Sequence, residues 1–287
     1  MIDQNVDLFL KTAEERHLIY IRKRILDSPK PWTEDEIFQR FFFCNLFRQY
    51  DKCSQWMIDN IIPKRRWDLI VLYRYISTHK TYRKLQDNID LNSLDEAERF
   101  LLEMKKEGET VFSSCFIRNP HSCEGVVGAH QVPFILIKEM KRNGWSSDGS
   151  MRDFLWTTLQ ELHRELMRYG SVGKFMAYEY ACDMEYTDEF HPTDKNEWCS
   201  LGPGAMKGLN ILVTGSAHRR YDKKIEKEYI QELYLALKDR IEREFPSETI
   251  TMREVEHWLC EFCKYVKYMG FVRSGGRVKF RKYEGGC

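Results

Sequence analysis

Three capping boxes, in which a serine or threonine precedes a glutamate by three positions, constrain how this chain can fold. They pair Thr33 with Glu36, Ser93 with Glu96, and Thr251 with Glu254. In such a box the hydroxyl group accepts a hydrogen bond from the first helical turn, and the carboxylate returns to the cap backbone. The pattern therefore favours helix starts, and we predict a mainly α fold.

Apolar periodicity extends these starts into helices. The predicted helices cover residues 33–50, a stretch from 93, 150–169, 174–183, 222–244 and 251–269. Short strands are predicted at 110–117, 210–214 and 277–280. We expect one domain over residues 1–287, built from two packed helical lobes with the hinge at 144–149.

Composition narrows the class of protein. Nine cysteines at scattered positions fit a reducing cytoplasm better than a disulfide framework. No run of 18 apolar residues and no secretory pattern occurs, so neither a membrane span nor export is expected. A net charge of +1 means that any DNA binding depends on local basic patches, of which the glycine-spaced tail with Arg277 and Lys279 is the best placed.

A glycine-bearing turn separates two amphipathic stretches at residues 169–177. It contains Gly170, Ser171, Gly173 and Lys174. This arrangement resembles the helix–hairpin–helix of DNA base-excision glycosylases, in which glycines let backbone N–H groups approach a DNA phosphate. The resemblance places the catalytic aspartate of those enzymes at Asp194, which could equally be a helix N-cap.

Three polar residues share one edge of the predicted helix over 33–50. They are Asn45, Arg48 and Asp51, at helical spacing. One interpretation is a buried Arg48–Asp51 pair that fixes helix packing. The other is a guanidinium that faces a cleft, where its fork suits a phosphoryl group.

A second glycine-rich segment, at residues 202–208, follows Asp194 along the chain. Gly202, Gly204 and Gly208 with Pro203 predict a tight loop that presents backbone donors, to which Lys207 adds charge. A plain turn would have the same composition.

Two tempting motifs are discounted. The stretch from Gly170 to Lys174 lacks the spacing of a phosphate-binding loop, and Phe175 stands where that loop needs a hydroxyl, so a nucleotide kinase is not expected. His257, Cys260 and Cys263 fall on one helical face, but the sequence declares no fourth zinc ligand. We expect neither a metal nor a cofactor.

Several segments taken together resemble a narrower family. They read PWTED at 31–35, RFFFCNLFRQYD at 40–51, FMAYE at 175–179, CDMEYT at 182–187, GPGA at 202–205 and HWLCEFCKY at 257–265. In this order they resemble the bacteriophage α-glutamyl/putrescinyl-thymine pyrophosphorylases, also called amino acid:DNA transferases. The fold relatives of that family are the helical domains of 5-hydroxymethyluracil DNA kinases.

The resemblance implies a step of thymine hypermodification in phage DNA, in the cytoplasm of the infected bacterial host. An amine nucleophile, such as an amino acid or a polyamine, would replace the phosphate on a phosphorylated 5-hydroxymethyluracil. The partners would be double-stranded DNA containing the modified thymine and the small amine. We expect the base to be extruded into a cleft between the two lobes.

Roles follow for the candidate residues. The predicted catalytic residues are Asp194, Arg48 and Asp51, with Arg48 on the phosphate, Asp51 orienting it, and Asp194 accepting a proton or stabilising the electron-poor carbon. The predicted substrate-binding residues are Arg40, Asn45, Lys52, Asp183 and Lys207. The predicted DNA-binding residues are Gly170, Ser171, Gly173, Lys174, Gly202, Gly204, Arg277 and Lys279.

Two other functions remain open at this point. A monofunctional glycosylase would use the same hairpin and Asp194 to activate water, whereas Phe175 replaces the lysine that a lyase would need. A non-catalytic DNA-binding module would need only the basic patches.

Overall fold

The computed structural model describes residues 1–113, 128–152 and 154–273, and these residues are mainly helical. Its α-helices are α1 (Asp3–Tyr20), α2 (Glu36–Arg40), α3 (Lys52–Asn60), α4 (Trp67–Ile76), α5 (His79–Asn88), α6 (Leu94–Lys106), α7 (Val132–Arg142), α8 (Leu159–Leu166), α9 (Lys174–Met184), α10 (Pro203–Thr214), α11 (Glu226–Glu244) and α12 (Met252–Arg273). Over the described ranges no β-strand forms, and one isolated bridge joins Arg66 to Ser150. The predicted mainly α fold is confirmed.

The chain divides into two compact units. Over the described residues, the first unit comprises 1–50 and 195–273, and the second comprises 51–113, 128–152 and 154–194. The segment 144–149, predicted as a hinge, lies inside the second unit.

The first unit is built around α12. Helices α1, α2, α10 and α11 all contact it. Trp258 of α12 is fully buried, and its indole Nε1 donates a hydrogen bond to the carbonyl oxygen of Phe9 in α1 at 3.1 Å. Phe262 packs edge-on against the ring of Phe9, with centroids 5.5 Å apart. An aromatic seam therefore joins α1 to the middle of α12.

The second unit is built around α4, in which every residue is buried. Helices α5, α7 and α9 pack against it. Two of its buried residues are charged, and one of them, Arg74, forms an ion pair with Asp183 of α9. A central helix with no solvent face must satisfy its polar groups internally, and this pair does so.

Helices α8 and α9 form a contacting helical pair joined by residues 167–173. His163 of α8 lies 3.0 Å from the carbonyl oxygen of Lys174, to which its Nε2 must donate because a carbonyl only accepts. Burial lowers the pKa of His163, which favours the neutral ring at this position. The predicted helix over 174–183 and the break at Tyr169 and Gly170 are confirmed.

Other helix predictions are also confirmed. Ser93 is the N-cap of α6, and α11 covers most of the predicted span 222–244. Glu254 accepts a hydrogen bond from the backbone N–H of Thr251 (2.8 Å), as the third box requires, and a second one from the Thr251 hydroxyl (2.6 Å). Helix α12 starts at the predicted position and continues beyond 269.

The predicted helix over 33–50 is wrong. Asp35, not Thr33, caps the helix, and α2 ends at Arg40. Residues 41–47 are irregular, and a 3-10 turn covers Arg48–Tyr50. Extended backbone at Phe41 ends the helix, so Asn45, Arg48 and Asp51 do not share a helical edge.

The predicted start of a helix at Ser150 is also wrong. Helix α8 begins only at Leu159, with Thr158 as its N-cap. Leu155, which lies inside the predicted helix 150–169, precedes α8 and is 83% exposed.

The predicted strand at 210–214 and the predicted loop at 202–208 both belong to one helix, α10, which begins at Pro203 after the N-cap Gly202. Proline at the first helical position and glycine before it suit a helix start as well as a loop. Of the other two predicted strands, residues 110–113 form no strand, while 114–117 and 277–280 lie outside the described residues.

Among the described helices, none combines the length and apolar content needed to cross a bilayer.

Candidate active site

The candidate residues are distributed over both units. The first unit holds Arg40, Asn45, Arg48, Gly202, Gly204 and Lys207. The second unit holds Asp51, Lys52, Gly170, Ser171, Gly173, Lys174, Asp183 and Asp194. Arg277 and Lys279 lie outside the described residues, so their predicted contact with DNA stays a prediction.

Arg48 lies in a compact irregular segment of the first unit. The Asn45 Nδ2 donates to the carbonyl oxygen of Tyr50 at 2.8 Å, and the Tyr50 N–H donates to the carbonyl oxygen of Phe47 at 3.1 Å, which closes the turn. Leu46 and Phe47 are fully buried and anchor it. Arg48 itself is only 5% exposed, so its charge lies in a region of low dielectric where it acts strongly on another charge.

Two buried carboxylates of α12 hold backbone segments of the first unit. The Glu261 carboxylate accepts the N–H of Cys44 at 3.0 Å, and the Glu256 carboxylate accepts the N–H of Gly202 at 3.0 Å. Both side chains are at most 8% exposed. Charge-assisted bonds of this kind fix the Arg48 segment and the start of α10 against the same helix.

The same face of α12 carries His257 and Cys260. The Sγ of Cys44 and a ring nitrogen of His257 lie within 4.8 Å of each other. Burial raises the pKa of the Cys260 and Cys263 thiols, with nearby Glu261 and Glu256 adding to the effect at Cys260. A raised thiol pKa disfavours the thiolate that binds metals and attacks electrophiles.

Asp194 lies in a turn of the second unit and does not start a helix. Its two carboxylate oxygens accept the backbone N–H groups of Leu159 (2.7 Å) and Gln160 (3.0 Å). The carboxylate thus caps α8 from a distant part of the sequence, beside Thr158, whose hydroxyl accepts the N–H of Glu161 at 3.1 Å. A negatively charged group at a helix N-terminus stabilises the helix.

The segment between α8 and α9 has solvent-exposed residues at its centre. Gly170, Gly173 and Lys174 are exposed, while Tyr169 and Val172 are buried and anchor the turn. No atom lies within 4 Å of where a Cβ on Gly173 would stand, so its backbone is accessible. Ser171 is half-buried, and its hydroxyl oxygen is shielded from solvent.

Asp183 is fully buried, and its Oδ1 accepts from the Arg74 Nη2 at 2.7 Å while its Oδ2 accepts from Nε. Lys52 is exposed on the first turn of α3, for which Asp51 is the N-cap residue without a side-chain cap bond. Asp183 therefore has a structural partner, whereas Lys52 is exposed to solvent.

Helix α10 uses its glycines for packing. The N–H of Gly202 is already engaged by Glu256, and Gly204 faces the side chain of Cys260. Lys207 is exposed on the same helix. Arg40 is also exposed and lies 3.3 Å from the Glu36 carboxylate.

The charged face of α12 was not predicted from the sequence. Arg253, Glu256 and Glu261 are each no more than 8% exposed. One signal was available in the sequence: ionisable residues recur at intervals of three to five, opposite the apolar stripe that contains Trp258 and Phe262. This pattern is unusual for a helix at the centre of a core.

Comparison with known proteins agrees with this fold. Residues 3–271 match the family described as 5-hmdU DNA kinase, helical domain. The chain is similar to a 5-hmdU DNA kinase of Bacillus phage SP10, with 22% identity over 303 aligned positions that cover 93% of this chain and 46% of the relative. It thus spans about half the length of that relative, and no solved structure matches significantly.

The family match covers both units, from the start of α1 to the last turns of α12. The chain belongs to the family of 5-hmdU DNA kinase helical domains.

Proposed function

We propose that the chain is a DNA-modifying transferase of thymine hypermodification, which replaces the phosphate of a phosphorylated 5-hydroxymethyluracil with an amine. The observation that carries this proposal is the family match over residues 3–271, together with a relative named for its action on 5-hmdU DNA. The sequence resemblance to amino acid:DNA transferases favours transfer over phosphorylation. So does Phe175, which stands in place of the hydroxyl of a phosphate-binding loop.

The reaction is a substitution at the exocyclic carbon of the base. The amine nitrogen forms a bond to that carbon, the bond from carbon to the phosphate oxygen breaks, and the phosphate leaves with the electron pair. We assign Arg48 to the phosphate, because a buried guanidinium binds a phosphoryl group through two parallel hydrogen bonds and stabilises the charge that develops on it.

We assign Asp194 to the proton that the amine loses. The two backbone donors at the start of α8 hold its carboxylate in a fixed position. A carboxylate offers about four lone-pair positions, so two accepted hydrogen bonds leave capacity for an incoming ammonium group.

The product assay tests the proposal directly. The full chain is incubated with duplex DNA containing phosphorylated 5-hydroxymethyluracil and with putrescine or glutamate, and the digested nucleosides are weighed by mass spectrometry. We expect an amine-substituted thymidine and free phosphate, with no product from unphosphorylated DNA. Release of a free base without an amine would instead establish a glycosylase, and binding without any product would establish a DNA-binding module.

Replacing Asp194 with asparagine should lower the transfer rate about a hundredfold, the lower end of what a general base contributes. Asparagine keeps one oxygen for the N-terminus of α8 but cannot take the proton. The matched control is Thr158→Ala, which removes the neighbouring cap bond of the same helix and should cost about 1 kcal/mol of stability while activity stays within a few-fold. Equal losses of activity in the two variants would show that Asp194 acts only through the position of α8.

A further inference from the structure

Residues 40–43 place aromatic rings on the surface of the first unit. The backbone is extended at Phe41, so successive side chains point to opposite sides. Phe43 is buried against Phe38, with ring centroids 4.8 Å apart, whereas Phe42 is 51% exposed. Phe41 stacks on Tyr268 of α12, with centroids 4.0 Å apart and planes inclined by 6°.

Cations surround these rings. The Lys264 Nζ lies 5.4 Å from the centroid of the Phe42 ring, and the Arg40 guanidinium carbon lies 5.8 Å from that of Phe41. Exposed Lys267 directly precedes Tyr268 in α12. Two carboxylates partly balance this charge, since Glu36 pairs with Arg40 and Glu261 pairs with Lys264. We call the set formed by Arg40, Phe41, Phe42, Lys264, Lys267 and Tyr268 the Phe42 surface.

We propose that the Phe42 surface binds DNA at an unpaired base, which stacks on Phe42 while the phosphates on either side meet the lysines. A half-exposed aromatic ring can stack on a base, and the cations around it can bind the anionic phosphates of the backbone. The alternative, a solvated surface of salt bridges, would not explain why the Phe42 ring is exposed among the cations. This inference rests on the proposed function only in taking DNA as the substrate, and it assigns the contact that receives DNA where a base has left the stack.

The test compares three variants of the full chain on two DNA duplexes. One duplex is fully paired, and the other carries a single unpaired 2-aminopurine, whose fluorescence falls on stacking. We expect Phe42→Ala to raise the Kd for the bulged duplex about tenfold, to abolish the quenching, and to leave the paired duplex within about twofold. Phe42→Trp should restore both properties. The control is Leu235→Ala in α11, a large apolar side chain of similar exposure (57%), which should change neither.

A second measurement tests the electrostatic part. Lys267→Gln should lower the slope of log affinity against log salt concentration by about 1, whereas Lys227→Gln on the exposed side of α11 should leave it unchanged. Equal Kd values for Phe42→Ala, Leu235→Ala and the wild-type chain on the bulged duplex would overturn the inference. If no amine product forms but Phe42→Ala still weakens binding, the proposed function fails and the inference stands. If the amine product forms and Phe42→Ala binds the bulged duplex normally, the inference fails and the proposed function stands.

Discussion

Replacing Arg74 with methionine should lower the free energy of unfolding by about 3–5 kcal/mol, the range measured when one partner of a buried ion pair is removed. Arg74 is 4% exposed in α4 and Asp183 is fully buried in α9. Burial by itself would lower the pKa of Arg74, but the charge of Asp183, its hydrogen bonds and the charge of Glu179 together outweigh burial and raise that pKa. The substitution leaves the Asp183 carboxylate buried without its cation, beside the further negative charge of Glu179.

Urea denaturation of single and double variants would measure this cost. Arg74→Met with Asp183→Leu should recover most of the loss, because a well-packed apolar pair avoids the desolvation of both charges. The control is Arg65→Met, which breaks an ion pair of the same unit with Asp188 whose side chains are 63% and 82% exposed. That variant should lose less than about 1 kcal/mol. A similar cost for Arg65→Met and Arg74→Met would show that the buried pair is not what holds α4 to α9.

This result bears on the prediction that Asp183 binds substrate. Both of its oxygens accept hydrogen bonds from Arg74, so a loss of activity in an Asp183 variant would follow from unfolding before it reported on substrate. Activity should therefore be compared only among variants whose unfolding free energy is matched.

Local capping signals predicted the helices well where tertiary packing does not change the backbone conformation. The box at Thr251 starts a helix because its cap and its carboxylate lie within one turn and bond to each other, and Ser93 is an N-cap residue although its side chain makes no cap bond. The box at Thr33 failed to predict where the helix ends, because tertiary packing determines the backbone conformation after Arg40. Extending the backbone there lets Phe43 enter the core, and no propensity scale contains that gain.

The candidate site was less predictable, because its contacts join distant parts of the chain. Asp194 caps a helix that begins 35 residues earlier, and Glu261 holds the backbone of Cys44 across 217 positions. A spacing motif cannot register either contact. The run from Asn210 to Thr214 failed for a related reason, because its β-branched residues favour a strand in isolation but continue a helix that is packed on α12.

Replacing Gly208 with valine should lower the free energy of unfolding by about 3 kcal/mol or more, at the upper end of overpacking costs. A Cβ on Gly208 would overlap the carbonyl oxygen of Leu259 and stand 2.8 Å from its carbonyl carbon. These are backbone atoms in the middle of α12, so relief requires the two helices to separate rather than one side chain to rotate.

Substitutions at two other glycines serve as comparisons for Gly208→Val, with the free energy of unfolding measured by thermal and urea denaturation. A Cβ on Gly204 would meet chiefly the flexible side chain of Cys260, so Gly204→Ala should cost clearly less than Gly208→Val. Gly270 is exposed in α12 with nothing within 4 Å of its Cβ position, and Gly270→Ala should stabilise the chain by about 1 kcal/mol through helix propensity. An unchanged stability for Gly208→Val would mean that α10 does not lie against α12 as closely as described.

Gly208→Val should also change the geometry of the candidate active site. Glu256 of α12 binds the N–H of Gly202 at the start of α10, so separation of the two helices stretches that bond. Under the proposed function, Gly208→Val should therefore lose amine transfer even at temperatures where it remains folded, whereas Gly270→Ala should retain it. Full transfer activity in folded Gly208→Val would show that the position of the Gly202 backbone is not required for the reaction.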